Sequence, residues 1–125
     1  MTREHPRFWD AHEDLARLAV WLRDQRIARY PAAIAKGSIT REEAQADILA
    51  WSAIAADWRF FVTLDPGEIE GRSFSREAKL AAIRTAIERY ETRVAASPET
   101  PVLQDTLDCI RALYWHAENG RFLSA

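Results

Sequence analysis

Apolar residues recur three or four positions apart along most of the chain, and this spacing places each set on one face of an α-helix. The clearest set steps through Ala44, Ile48, Trp51, Ala55 and Trp58. A second apolar row beside it predicts that this helix is the most buried one. The pattern indicates an all-α fold, either a four-helix bundle or an irregular helical array, with helix 40–64 central.

Turn and capping residues set the predicted helix boundaries. Thr40 and Glu43 have the S/T-x-x-E spacing of a capping box, in which each side chain binds a backbone N–H of the other residue. Pro31 lacks an N–H, so we expect a kink or break at Tyr30, and we expect Gly37 to cap the short piece that follows in the left-handed conformation. The prediction is a single domain, 1–125, with helices at about 9–29, 31–36, 40–64, 75–96 and 101–119.

The apolar face of the first helix changes direction partway along. Its first half has the stripe Leu15, Leu18 and Leu22, and after Leu22 a rotated apolar face follows. The rotated face comprises Val20, Ile27, Tyr30 and Ile34.

Charge and composition narrow the function classes. The formal net charge is −2 and the isoelectric point about 5.9, which argues against a general phosphate-backbone binder. No run of about 20 apolar residues exists to span a membrane, and no apolar segment of a signal peptide follows the N-terminus. Cys109 is the single cysteine, so an intramolecular disulfide is impossible. We expect a soluble, cytoplasmic protein with no membrane partner.

Residue patterns of known catalytic and metal sites are missing from the sequence. The four glycines form no phosphate-binding loop or nucleophile elbow. His5, His12 and His116 lack the spacing of a zinc site and are expected at the surface. Cys109 is expected to act as a small buried hydrophobe. The prediction is a protein that is not an enzyme and has no cofactor or metal.

Carboxylate residues mostly fall at helix starts or on the exposed side of the stripes, as Asp47 does. Asp57 differs because it lies between Ala56 and Trp58 in the most apolar helix. If it is buried, its carboxylate needs an arginine partner.

Five tryptophans are many for 125 residues. Trp51 and Trp58 lie on the main stripe and are expected in the core, whereas the other three are placed less securely inside. Exposed aromatic residues mark interfaces, especially next to arginine. The predicted interface residues are Trp9, Trp21, Tyr30 and Trp115.

Residues 29–57 resemble a pattern found in small uncharacterised bacterial and prophage-encoded helical proteins. In that pattern a Tyr-Pro, an apolar pair, a Gly, an Ile-Thr and a Glu-Ala helix start follow one another. Here it is carried by Tyr30-Pro31, Gly37, Ile39-Thr40 and Glu43-Ala44. The resemblance implies a helical hairpin and a phage-derived origin, but no activity.

Three functions stay open on this sequence. The leading hypothesis is a non-enzymatic interaction or assembly module that binds a protein partner or a second copy of itself. The alternative is nucleic-acid binding through a basic first helix, using Arg17, Arg23, Arg26 and Arg29. The third is a small-ligand pocket between the helices around Trp51, Trp58 and Tyr90.

Overall fold

Four α-helices account for most of the chain in a computed structural model that describes residues 6–63 and 75–119. The helices are α1 (His12–Lys36), α2 (Arg41–Thr63), α3 (Arg76–Ala96) and α4 (Pro101–Glu118). Those two ranges contain no strand, so the all-α fold class is confirmed. The predicted bounds of the last three helices agree to within a residue, and residue 64 lies outside the described residues.

Each helix packs against two others, so that the four form a ring. α1 packs on α2, α2 on α3, α3 on α4 and α4 on α1. Side-chain contacts join the later half of one helix to the early part of its neighbour: Arg26 of α1 reaches Asp47 of α2. At the other end of the bundle, Arg76 at the start of α3 reaches the carbonyl of Glu118 at the end of α4. The helices therefore run up and down alternately, as short connections favour.

α2 contributes the largest buried set of the four helices, as its wide apolar arc predicts. Trp51 and Trp58 are almost completely enclosed. Replacing a buried tryptophan with alanine costs a protein about 3–5 kcal/mol. These two tryptophans therefore serve the core. The buried residues of α2 are Ala44, Ala50, Trp51, Ala53, Ile54, Ala55, Asp57 and Trp58.

The connection between α1 and α2 has the predicted capping geometry. The Thr40 N–H donates to Oε1 of Glu43 at 3.2 Å, and the Glu43 N–H donates to Oγ1 of Thr40 at 3.1 Å. Gly37 has φ of 76°, a left-handed conformation that side chains with a Cβ rarely adopt. Both features are local in sequence, and both predictions are confirmed.

The predicted break at Tyr30 is wrong, because α1 runs through Pro31 as one helix instead of two pieces at 9–29 and 31–36. Proline removes one helical hydrogen bond, to the carbonyl four residues earlier at Ile27. Ile27 and Pro31 are both exposed, so water can bind that carbonyl. Arg26 and Tyr30 are held by Asp47 of α2, which keeps the second half of α1 on the bundle.

The start of α1 is later than the predicted residue 9. Residues 7–10 form a turn, in which Phe8 has φ of 67°, and the helix begins at His12. Trp9 therefore lies before the helix, where its carbonyl oxygen contacts Nε2 of His116.

Candidate interaction surface

Exposed large apolar side chains concentrate on one side of the bundle. Over residues 6–63 and 75–119 they are Val20, Trp21 and Ile27 on α1, Leu49 on α2 and Val102 on α4. α2 and α4 are the helices that pack against α1, and α3 on the opposite side of the ring carries none of the five. The apolar surface is therefore centred on α1.

A groove between α1 and α2 carries most of this surface. It holds a cavity of about 480 Å³ beside Val20 and Val62, and a second of about 400 Å³ beside Ile27, Ile34 and Leu49. Val20, Ile27 and Ile34 are seven residues apart, which is close to two helical turns, so they lie in one row. We call this row, with Leu49 across the groove, the α1–α2 stripe. Ile27 is 50% exposed and Leu49 is 47% exposed.

The other side of α1 has a smaller apolar groove against α4. Leu18, Trp21, Val102 and Cys109 line a cavity of about 350 Å³. Trp21 is 43% exposed. Of the four residues predicted for an interface, Trp21 is the one whose ring reaches the surface to this extent.

The other three predicted interface residues lie outside this groove, and their side chains contact other residues of the same chain. Trp9 and Trp115 are partly buried and pack edge to face, with ring centroids 5.9 Å apart. Tyr30 is buried near the opposite end of α1, where its hydroxyl donates to the carboxylate of Asp47. The structure brings Trp9 and Trp115 together, but it does not join either of them to Trp21 or Tyr30.

A cluster of histidines and aromatic rings closes the end of the bundle where Trp9 lies. His116 is 0% exposed, and its ring centroid is 5.0 Å from Trp58 and 5.4 Å from His12. Nε2 of His116 lies 2.6 Å from the carbonyl oxygen of Trp9, and because a carbonyl only accepts, this nitrogen carries the hydrogen. The prediction of surface histidines is wrong for His116, and His12 is only partly exposed.

Sequence spacing offered a signal for His116, because it stands three residues after Leu113 on the stripe of α4. His5 lies outside the described residues. Within the ranges that the structure covers, no three His, Cys, Asp or Glu side chains converge on a common metal position.

A fully buried ion pair joins α2 to α3. Asp57 is 3% exposed and Lys79 is 1% exposed, with 2.5 Å between Oδ2 and Nζ. The cation that the structure places against Asp57 is the ammonium group of Lys79, and the expected arginine partner stays a prediction. Lys79 precedes Ile83 by four residues and so extends the α3 stripe toward its start, which is the signal that the sequence offered. Removing one member of such a pair takes away a charge that stabilises the other in the interior.

A second polar network joins α1 to α2 near the opposite end. Nε of Arg26 donates to Oδ2 of Asp47 at 2.8 Å, and the Tyr30 hydroxyl donates to the same oxygen. Burial raises the pKa of Tyr30, the hydrogen bond to Asp47 raises it further, and the nearby Arg89 lowers it. Tyr30 therefore stays a neutral donor at ordinary pH. Asp47 is only partly exposed and paired with two residues, which corrects its expected place on a solvated helix side.

The four arginines of the predicted basic row of α1 differ in burial and in ion pairing. Arg17 forms ion pairs with Glu13 and Asp14, and Arg23 pairs with Asp24. Arg26 is buried against Asp47, as described above. Arg29 alone among the four predicted nucleic-acid contacts is exposed without an ion pair to a residue that the structure describes.

Cys109 is partly buried and packs against the core, as expected of a small hydrophobe. Burial, with a smaller effect from the nearby carboxylate of Asp105, raises the pKa of its thiol to about 11. A thiol with this pKa is almost entirely protonated at neutral pH, and a protonated thiol is a poor nucleophile.

Comparison with protein-family models, curated proteins and solved structures finds no match to this chain. The resemblance of residues 29–57 therefore remains a prediction. None of α1 to α4, over the part of the chain that the structure describes, combines the length and apolarity that crossing a bilayer requires.

Proposed function

We propose that this protein is a non-enzymatic helical assembly module that self-associates through the α1–α2 stripe. The observation that carries the proposal is the concentration of exposed large apolar side chains on α1 and its two neighbours. Extended apolar patches on a folded surface mark contact sites. A side chain such as Ile27 contributes to stability only when something removes it from water.

The geometry of the stripe suits a second helix. Val20, Ile27 and Ile34 repeat every seven residues, the spacing at which apolar side chains meet along a pair of packed helices. The two cavities in the groove, of about 480 and 400 Å³, provide space for side chains from a partner. An antiparallel α1 from another molecule, centred on Ile27, would set Val20 opposite Ile34 of the other copy.

Charges beside the stripe favour a second copy over a strongly charged partner. Arg17 is balanced by Glu13 and Asp14, and Arg23 by Asp24, all within α1. A two-fold symmetric interface brings the same surface from both copies together, so a surface of one sign would repel itself. The paired charges of α1 near Val20 reduce that repulsion.

Sedimentation equilibrium of the wild type and of Ile27→Asp tests the proposal. We expect the wild type to form a dimer of twice 14.3 kDa, and we expect Ile27→Asp to raise the dimer dissociation constant at least about tenfold, because a carboxylate is desolvated in the interface. Thr85→Asp, at an exposed position of α3, is the matched control and should dimerise as the wild type does. A wild-type monomer at all concentrations would overturn the proposal, as would equal association of both variants.

Nucleic-acid binding along α1 receives less support from the geometry, because Arg17 and Arg23 are balanced and Arg26 is buried. A gel-shift series at increasing salt tests it, since phosphate contacts weaken steeply with salt. A ligand held by Trp51, Trp58 and Tyr90 also receives less support, because all three rings are buried in the core. The proposal includes a cytoplasmic location, which the single cysteine supports. It also includes a bacterial or prophage origin, which the pattern in residues 29–57 supports.

A further inference from the structure

A notch opens between α1 and α3 because α1 extends beyond the start of α4. Trp21 of α1 lines the same groove as Val102, the second residue of α4. The turns of α1 that follow Leu22 therefore have no α4 beside them and face α3 across the bundle. The resulting cavity has a volume of about 150 Å³. We call it the arginine notch, and the charged and aromatic residues that line it are Arg26, Arg29, Tyr30, Arg89, Tyr90 and Arg93.

Positive charge dominates the arginine notch. Two guanidinium groups come from α1 and two from α3. The acidic side chain that contacts this set is Asp47, whose Oδ2 already accepts from Arg26 and Tyr30. Among the residues that the structure describes, four cations therefore lie beside one engaged carboxylate in a partly enclosed space, where charges are screened less than in open water.

No acid stands at helical ion-pairing distance in the sequence from Arg29, Arg89 or Arg93. The positions three and four residues away from each of them hold no Asp or Glu. Among the residues that the structure describes, none of the three forms an ion pair. Arg17 and Arg111, by contrast, each pair with acids on their own or a neighbouring helix. The notch therefore carries an unbalanced positive charge that an anion would relieve.

Geometry and side-chain chemistry favour a phosphate group. A guanidinium presents parallel N–H donors that match two oxygens of a phosphate. The Arg93 guanidinium stacks over the Tyr90 ring, 4.7 Å from its centroid, which limits its orientations before any ligand arrives. The volume of about 150 Å³ is well below the roughly 300–1,000 Å³ of sites that enclose drug-sized ligands.

We propose that the arginine notch binds a single phosphate group, either free inorganic phosphate or the terminal group of a phosphate monoester. This site is distinct from the α1–α2 stripe, so either proposal can fail while the other holds.

Isothermal titration of the full chain with inorganic phosphate tests the site, with sodium chloride at equal ionic strength as the reference. We expect saturable binding to phosphate and none to chloride. In the Arg89→Gln/Arg93→Gln variant the dissociation constant should rise at least about tenfold. Both side chains are exposed, so the variant should fold, and its circular dichroism and unfolding midpoint report whether it does.

The matched control is Arg84→Gln/Arg111→Gln, which removes the same charge from exposed positions outside the notch. It should bind phosphate within about twofold of the wild type. Adenosine monophosphate at the same ionic strength separates the two sources: tighter binding than inorganic phosphate supports a monoester, and equal binding supports the free ion. Absence of saturable phosphate binding, or equal losses in both double variants, would overturn the proposal.

Discussion

α1 and α3 have similar inner faces and different outer faces. Each inserts one cation against an aspartate of α2: Arg26 of α1 against Asp47, and Lys79 of α3 against Asp57. On the outside, α1 exposes Val20, Trp21 and Ile27, whereas the exposed positions of α3 hold Arg, Glu, Thr, Ala and the N-cap Ser.

This difference separates the inner faces, which stabilise the bundle, from the outer face of α1, which is available for contact with another molecule. α3 shows that a helix in this ring can be stable with a solvated outer face, because its inner face supplies the packing. Folding of one chain therefore does not require the apolar outer face of α1. A contact with another molecule gives those side chains a role.

The two ion pairs also differ in depth, and the deeper one has the larger expected effect. Lys79→Met leaves the carboxylate of Asp57 in the interior without this cation. We expect a loss of about 3–5 kcal/mol in the free energy of unfolding, measured by urea denaturation followed by circular dichroism. Replacing both members, Asp57→Leu/Lys79→Met, should cost less than the single change. A loss below about 1 kcal/mol in Lys79→Met would contradict a structural role for the pair.

Cys109 lines the same groove between α1 and α4 as Trp21. The rate at which its thiol reacts therefore tests the environment of that groove. Because its pKa is raised to about 11, iodoacetamide at pH 8 should modify the folded protein at least about 100-fold more slowly than free cysteine, whose pKa is about 8.5. The rate should rise about tenfold for each pH unit from 8 to 10. A plateau near pH 9 would contradict the raised pKa.

The raised pKa of the Cys109 thiol also predicts how the free energy of unfolding changes with pH. The folded state holds the thiol proton more tightly than the unfolded state, so this contribution to stability is complete below about pH 9 and is lost as the pH rises toward 11. Cys109→Ala should remove this part of the decline in the unfolding midpoint at alkaline pH.

We expect a change in the less buried network around Asp47 to have an intermediate effect on the free energy of unfolding. Tyr30→Phe removes a hydroxyl that donates to a charged carboxylate, and we expect it to lower the free energy of unfolding by about 1.5 kcal/mol. Tyr114→Phe is the matched control, because its hydroxyl accepts from the exposed Arg84. It should leave the urea midpoint unchanged. Equal losses in the two variants would show that the Tyr30 hydroxyl contributes no more to stability than the Tyr114 hydroxyl.

Substitutions on the outer faces of α1 and α3 have the smallest expected effect on the free energy of unfolding. Measured below the dissociation constant of the dimer, Ile27→Asp on α1 and Thr85→Asp on α3 should each change the free energy of unfolding by about 0.5 kcal/mol or less. A large loss in Ile27→Asp alone would mean that Ile27 belongs to the core of one chain, and the contrast between α1 and α3 would then fail.

Local patterns in the sequence were enough to predict much of the fold. The four stripes, the Thr40–Glu43 capping box and the left-handed Gly37 depend on residues within a few positions of one another. The predicted break at Tyr30 was wrong because the contacts of Arg26 and Tyr30 with Asp47 come from another helix, and local spacing does not reveal them.

Buried polar residues were harder to predict than apolar ones. His116 and Lys79 both occupy stripe positions, but a polar side chain there is enclosed only if another helix brings it a partner. Those partners are the Trp9 carbonyl and Asp57, which are distant in sequence. The arginine notch escaped prediction for the same reason, since it depends on where α4 begins relative to α1.

The outer face of α1 was predicted in part. The rotated set of Val20, Ile27, Tyr30 and Ile34 is apolar in sequence, and the structure turns Tyr30 inward while it leaves Val20 and Ile27 exposed. Sequence spacing alone does not distinguish an apolar face that packs inside the bundle from one that remains outside.

The most direct test of the proposed role is the molecular mass in solution of the wild type beside Ile27→Asp and Thr85→Asp, measured over a range of concentrations. We predict a concentration-dependent dimer for the wild type and Thr85→Asp, and a monomer for Ile27→Asp at the same concentrations. A wild type that stays at 14.3 kDa throughout, or an Ile27→Asp variant that dimerises as strongly, would contradict assembly through the α1–α2 stripe.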